Sequence, residues 1–327
     1  MAFASNWAEQ VRGPGGSCEN RAVDRDRRTA AVASLRGLAV GDALGSCFFV
    51  PANLPALNAR VLPADELFPW TDDAEMACSV FAVLDRHGRI DQDALAASFA
   101  ARHDFDRGYG PSVNRMLRLI RQEGASWREL AAAAFDGRGS WGNGGAMRVA
   151  PLGAFFAGEP AASSSAGLER VVAEAAASAE VTHTHPEAVA GTIAVAVAAA
   201  LAASRPDLAG EPLLRAVAAH TPAGLVHDGL HTAIRLLPLS DPRVAAGELG
   251  NGRATSAPDT VPFCLWVIAK HLRSFTDAFW AAATVGGDVD TNCAIVGGVV
   301  ASRTGLEGIP SDWLRRCEPL PKWAGAE

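Results

Sequence analysis

Apolar residues recur at three- and four-residue intervals along most of the chain, and convincing two-residue alternation is absent. Val32, Leu35, Leu38 and Val40 form an approximate stripe that predicts a helix from Ala30 to Leu44. Met76, Ala77, Val80, Phe81 and Leu84 predict another after Thr71, closed by His87-Gly88. Ile90 to Asp93 opens a short helix running through Phe99. Val113, Met116, Leu117 and Ile120 mark the next, and Ser126 to Ala134 another, stopped by Asp136-Gly137. The rest is alanine-rich: 151–157, 167–180, 186–204, 211–220, 223–237, 259–272 and 275–284 all read as helices. A final one runs from about Asp290 to Ser302. The Pro-rich stretch Pro51 to Pro69 reads as a loop.

Alanine on so many helices lets their axes approach closely and predicts a compact all-α bundle. Residues 1–29, polar and charged with Gly13-Pro14-Gly15-Gly16, read as a flexible N-terminal extension. No long linker interrupts the remainder, so residues 30–327 are expected to form a single all-α domain. Of the 327 residues, 49% are hydrophobic, which is enough for a substantial core. The formal charge of −7 offers no basic field for nucleic acid. An acidic protein can still bind phosphorylated ligands through metals and backbone amides. The six cysteines show no CxxC spacing, and Cys47, Cys78, Cys264 and Cys293 sit in apolar runs as small core residues, which fits a reducing cytoplasm. No signal peptide is apparent. Val189 to Ala203 is short for a membrane span and reads as a buried helix, so no membrane association is expected.

Two acidic clusters stand at the edges of apolar segments: Trp70-Thr71-Asp72-Asp73 and Gly286-Gly287-Asp288-Val289-Asp290-Thr291. Each supplies two carboxylates and a hydroxyl, oxygen donors suited to hard divalent cations. The same residues also suit helix caps. Between the clusters lies Gly139-Ser140-Trp141-Gly142-Asn143-Gly144-Gly145-Ala146-Met147-Arg148. Its glycines allow backbone amides to close around a phosphate, or simply make a tight turn, and Trp141 could stack on a base. His183-Thr184-His185-Pro186-Glu187 holds the closest histidine pair, without further ligands at zinc spacing. Asp42 is a carboxylate inside the apolar Gly41-Asp42-Ala43-Leu44-Gly45, where burial demands compensation by hydrogen bonds or a cation.

In their order along the chain, from Gly41 to Thr291, these five segments make the chain similar to the ADP-ribosylglycohydrolase family, over roughly residues 31–305. The resemblance implies a compact orthogonal multi-helix bundle with two Mg²⁺ (or Mn²⁺) ions, cleaving bonds at the anomeric carbon of ADP-ribose. By motif, it implies that Thr71, Asp72 and Asp73 hold one metal with Asp290, and that Asp288, Asp290 and Thr291 serve the second, with Asp290 bridging. Asp72, Asp73 and Asp290 then become the catalytic carboxylates. Ser140, Gly142, Asn143 and Gly144 look like a diphosphate cradle, Trp141 an adenine contact, and His183 the histidine approaching the bound ADP-ribose. On its own residue type and setting, Asp42 either supports the site, the favoured role, or locks helices together. One position departs from the pattern: Phe49 stands where family members commonly carry a glutamate, and so is expected to reshape the pocket edge.

The resulting expectation is a metal-dependent hydrolase, monomeric and cytoplasmic, that cleaves ADP-ribose from a protein side chain or small acceptor. Its partner is an ADP-ribosylated protein or small ADP-ribose conjugate. The alternatives are a non-catalytic ADP-ribose-binding protein and a hydrolase of a related nucleotide or glycosidic conjugate. Asp104, Asp106, Arg107 and Tyr109 could line the mouth or be ordinary helix-end residues. Trp127, Trp266 and Trp280 are assigned to the core.

Overall fold

The computed structural model describes residues 18–64, 67–157 and 165–326. The chain begins with α1 (Cys18–Ser46), α2 (Leu54–Ala59), α3 (Asp72–His87), α4 (Gln92–Arg102), α5 (Pro111–Glu123) and α6 (Trp127–Gly137). It continues through α7 (Gly144–Met147), α8 (Ala150–Ala157), α9 (Ser165–Glu180), α10 (Pro186–Ser204), α11 (Gly210–Ala218) and α12 (Leu225–Leu236). The last helices are α13 (Pro242–Leu249), α14 (Ala257–His271), α15 (Phe275–Ala283), α16 (Val289–Thr304) and α17 (Ser311–Arg316). No sheet occurs among the described residues, only isolated bridges at Phe68–Cys317 and Gly142–Ser256.

The long periodic segments fold as their pattern predicts because their ends are capped. Thr71 accepts from the Asp73 amide at the start of α3, whose first turn carries Asp72, Asp73 and Glu75 and whose last carries Arg86 and His87. Gly88, at φ 65°, closes it. Pro186 opens α10, and His185 accepts from the Glu187 amide.

Several boundaries differ from expectation. The first helix begins at Cys18 rather than Ala30, so the end of the expected extension is helical; residues 1–17 lie outside the described residues. The charged run Arg21 to Arg28 hid the start, since a polar run of about two turns carries no apolar stripe. The stretch expected as a loop from Pro51 contains α2, and the short helices α7, α13 and α17 had too few turns to show a period. α6 is broken near its end, where Ala134, Phe135 and Asp136 leave helical angles.

The core is built on α1, α8, α10 and α16, and the contact between α1 and α16 is the most extensive in the molecule. From Ala190 to Ala202 every residue of α10 is buried. Two helical stretches, Arg27–Phe49 and Pro186–Ser204, are long and apolar enough to cross a membrane, but 78% of each apolar window is buried within the fold. Trp266 and Trp280 are core residues; Trp127 is half-buried and donates to Asp93. Cys78, Cys264 and Cys293 are buried and free, and Cys47 is partly exposed.

One stripe sets the geometry that follows. Gly37, Gly41 and Gly45, four residues apart on α1, face α16. A β-carbon at Gly41 would collide with the Cys293 carbonyl, and one at Gly45 would sit 2.9 Å from the Asp290 α-carbon. The two backbones therefore touch directly, with Asp290 at the upper end of the seam. Gly41→Val is expected to force them apart and lower stability by about 3 kcal/mol in urea unfolding. A loss under about 0.5 kcal/mol would show that the seam tolerates a side chain.

Candidate functional site

Asp42 projects from α1 on the side that meets the start of α3. It is fully buried and accepts three hydrogen bonds: from the Thr71 amide at 2.9 Å, the Thr71 hydroxyl at 2.7 Å and the Ala74 amide at 3.0 Å. Burial pushes its carboxyl up to about 6, against the pull of those donors. Asp42 thus both supports the site and locks α1 to α3. Because the Thr71 proton goes to Asp42, the hydroxyl's lone pairs remain; one meets the Asp73 amide at 3.4 Å.

The second cluster starts α16. Asp288 is the residue before its first turn but makes no side-chain cap, so here the capping reading fails. Instead Asp288 accepts from the Asn143 amide nitrogen at 2.7 Å, and its own backbone amide donates to the Asn251 carbonyl at 3.1 Å. Asp290 accepts from the Thr291 amide, and the Thr291 hydroxyl stands 3.5 Å from Asp73 Oδ1.

The clusters meet in one cavity of about 380 Å³. Asp72, Asp73, Asp288, Asp290 and Thr291 line it, as do Ser140, Trp141, Gly142, Asn143, Gly144 and His183. Thr71 and Asp42 lie behind this lining. A larger, more open cleft of about 620 Å³ beside Gly250 to Ala254 contains a single carboxylate, Asp259. Burial, then the Asp42 charge, pushes Asp72 up to about 8. Burial and the facing Asp290 hold Asp73 well above the usual carboxylate range; burial and Asp288 do the same to Asp290. Asp73 Oδ2 is buried with no hydrogen-bond partner.

Oxygen donors crowded out of water, one of them orphaned, fit divalent cations: like charges in such a place are costly until a cation neutralises them. Thr71, Asp72, Asp73, Asp288, Asp290 and Thr291 would hold them. Among the described residues, no three His, Cys, Asp or Glu side chains are grouped so that they could hold a metal ion as they stand.

Opposite the carboxylates, the glycine loop is pinned on two sides. The Asn143 amide donates to the Thr255 carbonyl and the Ala257 amide to the Trp141 carbonyl. The His185 amide bonds the Ser140 carbonyl. Ser140 Oγ accepts from the Gly142 amide at 3.3 Å. Asn143 spends its side-chain nitrogen on Asp288 and Thr260, so it ties the loop to the second cluster instead of offering those donors to a ligand. Trp141 is 48% exposed.

Phe49 is not brought to the cavity. It ends a single 3₁₀ turn after α1 and is 53% exposed, so a carboxylate there would meet water rather than a packed wall. Asp104, Arg107 and Tyr109 also turn away from the lining. Arg107 lies 3.5 Å over the Trp70 ring, donates to the Trp70 carbonyl and grips Glu318 with both terminal nitrogens. Tyr109 is buried and donates to Glu75 at 2.6 Å. The rim in this region is instead the backbone at Gly108 and Gly110.

The lining includes residues no motif announced: Met76, Pro111, Ser112, Val113, Phe135 and Thr255. Phe135 carries the one signal of its own. It is 52% exposed and sits with Asp136 in the left-handed region, at φ 52° and 59°, a cost of roughly 1–2 kcal/mol per residue. Only the backbone reveals this strain.

The family model described as ADP-ribosylglycohydrolase matches residues 23–326. Human (Homo sapiens) ADP-ribosylhydrolase ARH3 is 26% identical over 331 residues, covering 87% of this chain and 88% of its own. The Gallus gallus ADP-ribosylhydrolase ARH3 is 28% identical over 333 residues, with the same coverages. A solved structure titled "ADP-ribosylglycohydrolase-related protein complex" superposes with a TM-score of 0.58 at 24% identity, covering 92% of this chain and 96% of its own, a likeness of fold.

Asp42→Ala is expected to leave three donors at the start of α3 without their acceptor and to cost about 3 kcal/mol in urea unfolding. Stability within about 0.5 kcal/mol of the parent would show that α3 is held by other means. Phe49→Glu, placed in water, is expected to change stability by less than about 0.5 kcal/mol.

Proposed function

The chain belongs to the ADP-ribosylglycohydrolase family, and on that premise we propose that it is a divalent-metal-dependent hydrolase releasing ADP-ribose from a protein side chain or small acceptor. The observation that carries this reading is the single cavity lined by both acidic clusters, the glycine loop and His183. Two Mg²⁺ or Mn²⁺ ions between the clusters would supply Lewis-acid polarisation of the ribose oxygens and charge neutralisation. Asp72 or Asp73 would orient or deprotonate the attacking water. Asp290, at the α1–α16 seam, would serve both metal positions. The glycine loop holds the diphosphate, and the exposed faces of Trp141 and Phe135 take the base. Pinning the remote nucleotide in this way places the anomeric carbon against the carboxylates. The buried thiols of Cys78, Cys264, Cys293 and Cys317 support a cytoplasmic setting, and the chain is read as a monomer.

The reading is tested by a product-resolved assay of arginine-linked, serine-linked and O-acyl ADP-ribose with Mg²⁺, Mn²⁺ or chelator. Free ADP-ribose is expected only with metal. Tight ADP-ribose binding without turnover of any conjugate would instead favour a binding protein on the same scaffold. Asp290→Ala is expected to lose metal occupancy and hydrolysis together; normal turnover with normal metal content would remove it from the bridge. Mn²⁺ at about 100 times its dissociation constant should stabilise the parent protein by about 2.7 kcal/mol, read as a rise in unfolding midpoint. Asp73→Asn should abolish that rise, and an undiminished rise would exclude Asp73 as a ligand.

A further inference from the structure

His183 lies 4% exposed at the floor of the cavity, and its role turns on which ring nitrogen carries the proton. Its Nδ1 is 2.7 Å from the Thr182 hydroxyl. The same hydroxyl receives a hydrogen bond from Arg148 Nη2 at 2.9 Å. Arg148 is fully buried, with its guanidinium 4.6 Å over the Phe99 ring and Nη2 also donating to the Ser178 carbonyl at 2.8 Å.

A guanidinium only donates, so the direction of this chain is fixed at its far end. Thr182 Oγ1 must accept from Arg148, which leaves its one proton for the other partner. Among the described residues that partner is His183 Nδ1. The reverse arrangement, Nδ1–H donating to Thr182, would leave a hydroxyl proton without an acceptor at a residue 3% exposed, a penalty of about 1–3 kcal/mol. His183 Nδ1 is therefore the acceptor and Nε2 carries the hydrogen. Nε2 points at the glycine loop: a β-carbon on Gly142 or Gly144 would come within 3.1 and 2.9 Å of it. The absence of side chains there gives this N–H its access to the cavity.

We propose that Thr182 and Arg148 are positioning residues that lock His183 as the neutral Nε2–H tautomer, making it an obligate hydrogen-bond donor to a ligand oxygen and excluding it as a base. Burial, reinforced by the Arg148 charge, pushes its pKa down to about 3, in keeping with a ring that stays neutral. Proton transfer is then left to the carboxylates. The identity of the ligand, an ADP-ribose hydroxyl or phosphate oxygen, rests on the function proposed above; the tautomer does not.

The test is ¹⁵N–¹H correlation of the imidazole nitrogens in histidine-labelled protein, with His183→Gln to assign the resonance. His183 should show protonated Nε2 and bare Nδ1, unchanged between about pH 5 and 8. Thr182→Val should abolish that preference and weaken ADP-ribose binding about tenfold by calorimetry, while Thr182→Ser restores both. A protonated Nδ1 in the parent protein, a titration of His183 in that pH range, or an unaltered tautomer in folded Thr182→Val would overturn the proposal. The parent spectrum decides even if the valine variant does not fold. An Nε2–H tautomer in a protein that binds no ADP-ribose would support the lock and overturn only the ligand.

Discussion

The structure depends on one buried carboxylate. Asp42 faces α3 from α1, and the glycines on either side of it, Gly41 and Gly45, face α16. A single helical turn therefore sets two positions at once. Three donors on Asp42 fix where α3 begins, and direct backbone contact at Gly45 fixes where Asp290 emerges. Two clusters more than two hundred residues apart in sequence share a cavity because both are referenced to that turn. A side chain at Gly41 or the loss of the carboxylate would disturb the reference itself.

Around this hub, each acidic cluster is braced by groups that do not line the cavity. Arg107 and Glu318 brace Trp70, the residue before the first cluster. Asn251 receives the Asp288 amide and the Asn292 side chain, and so braces the second. Asn143 crosses from the glycine loop to Asp288, so the loop wall and the acidic wall are tied together. The exposed aromatic rim is different: Phe135 is held in an unfavourable backbone region beside a cavity otherwise built on helix ends. Helix ends give positional accuracy, and the strained turn presents an apolar surface that the helices would have buried.

Much of this was legible in the sequence. The apolar period located α3, α10 and α16, and the short motifs located the acidic clusters, the glycine loop and His183. What escaped reading has physical causes. α7, α13 and α17 are too short to display a period, and α1 starts in a charged turn. Phe135 is revealed only by backbone angles and exposure. For Asn143, spacing shows that it sits in the loop but not that its side-chain nitrogen bonds Asp288 and Thr260. Phe49 is expected at the pocket edge because it stands at a glutamate position of the family pattern, yet Phe48 turns inward and Phe49 meets solvent. Thr182 and Arg148 carry no motif signal as a pair, since their connection to His183 exists only after α7 and α9 pack.

Anomalous diffraction from crystals equilibrated with Mn²⁺ tests the central claim most directly, because it locates cations without reference to turnover. Two peaks within coordinating distance of the carboxylates, with Asp290 touching both and Asp73 Oδ2 touching one, are the expected result. Peaks elsewhere, or no ordered manganese between the starts of α3 and α16, would contradict the account that Asp42 and the glycine seam exist to bring these two clusters together.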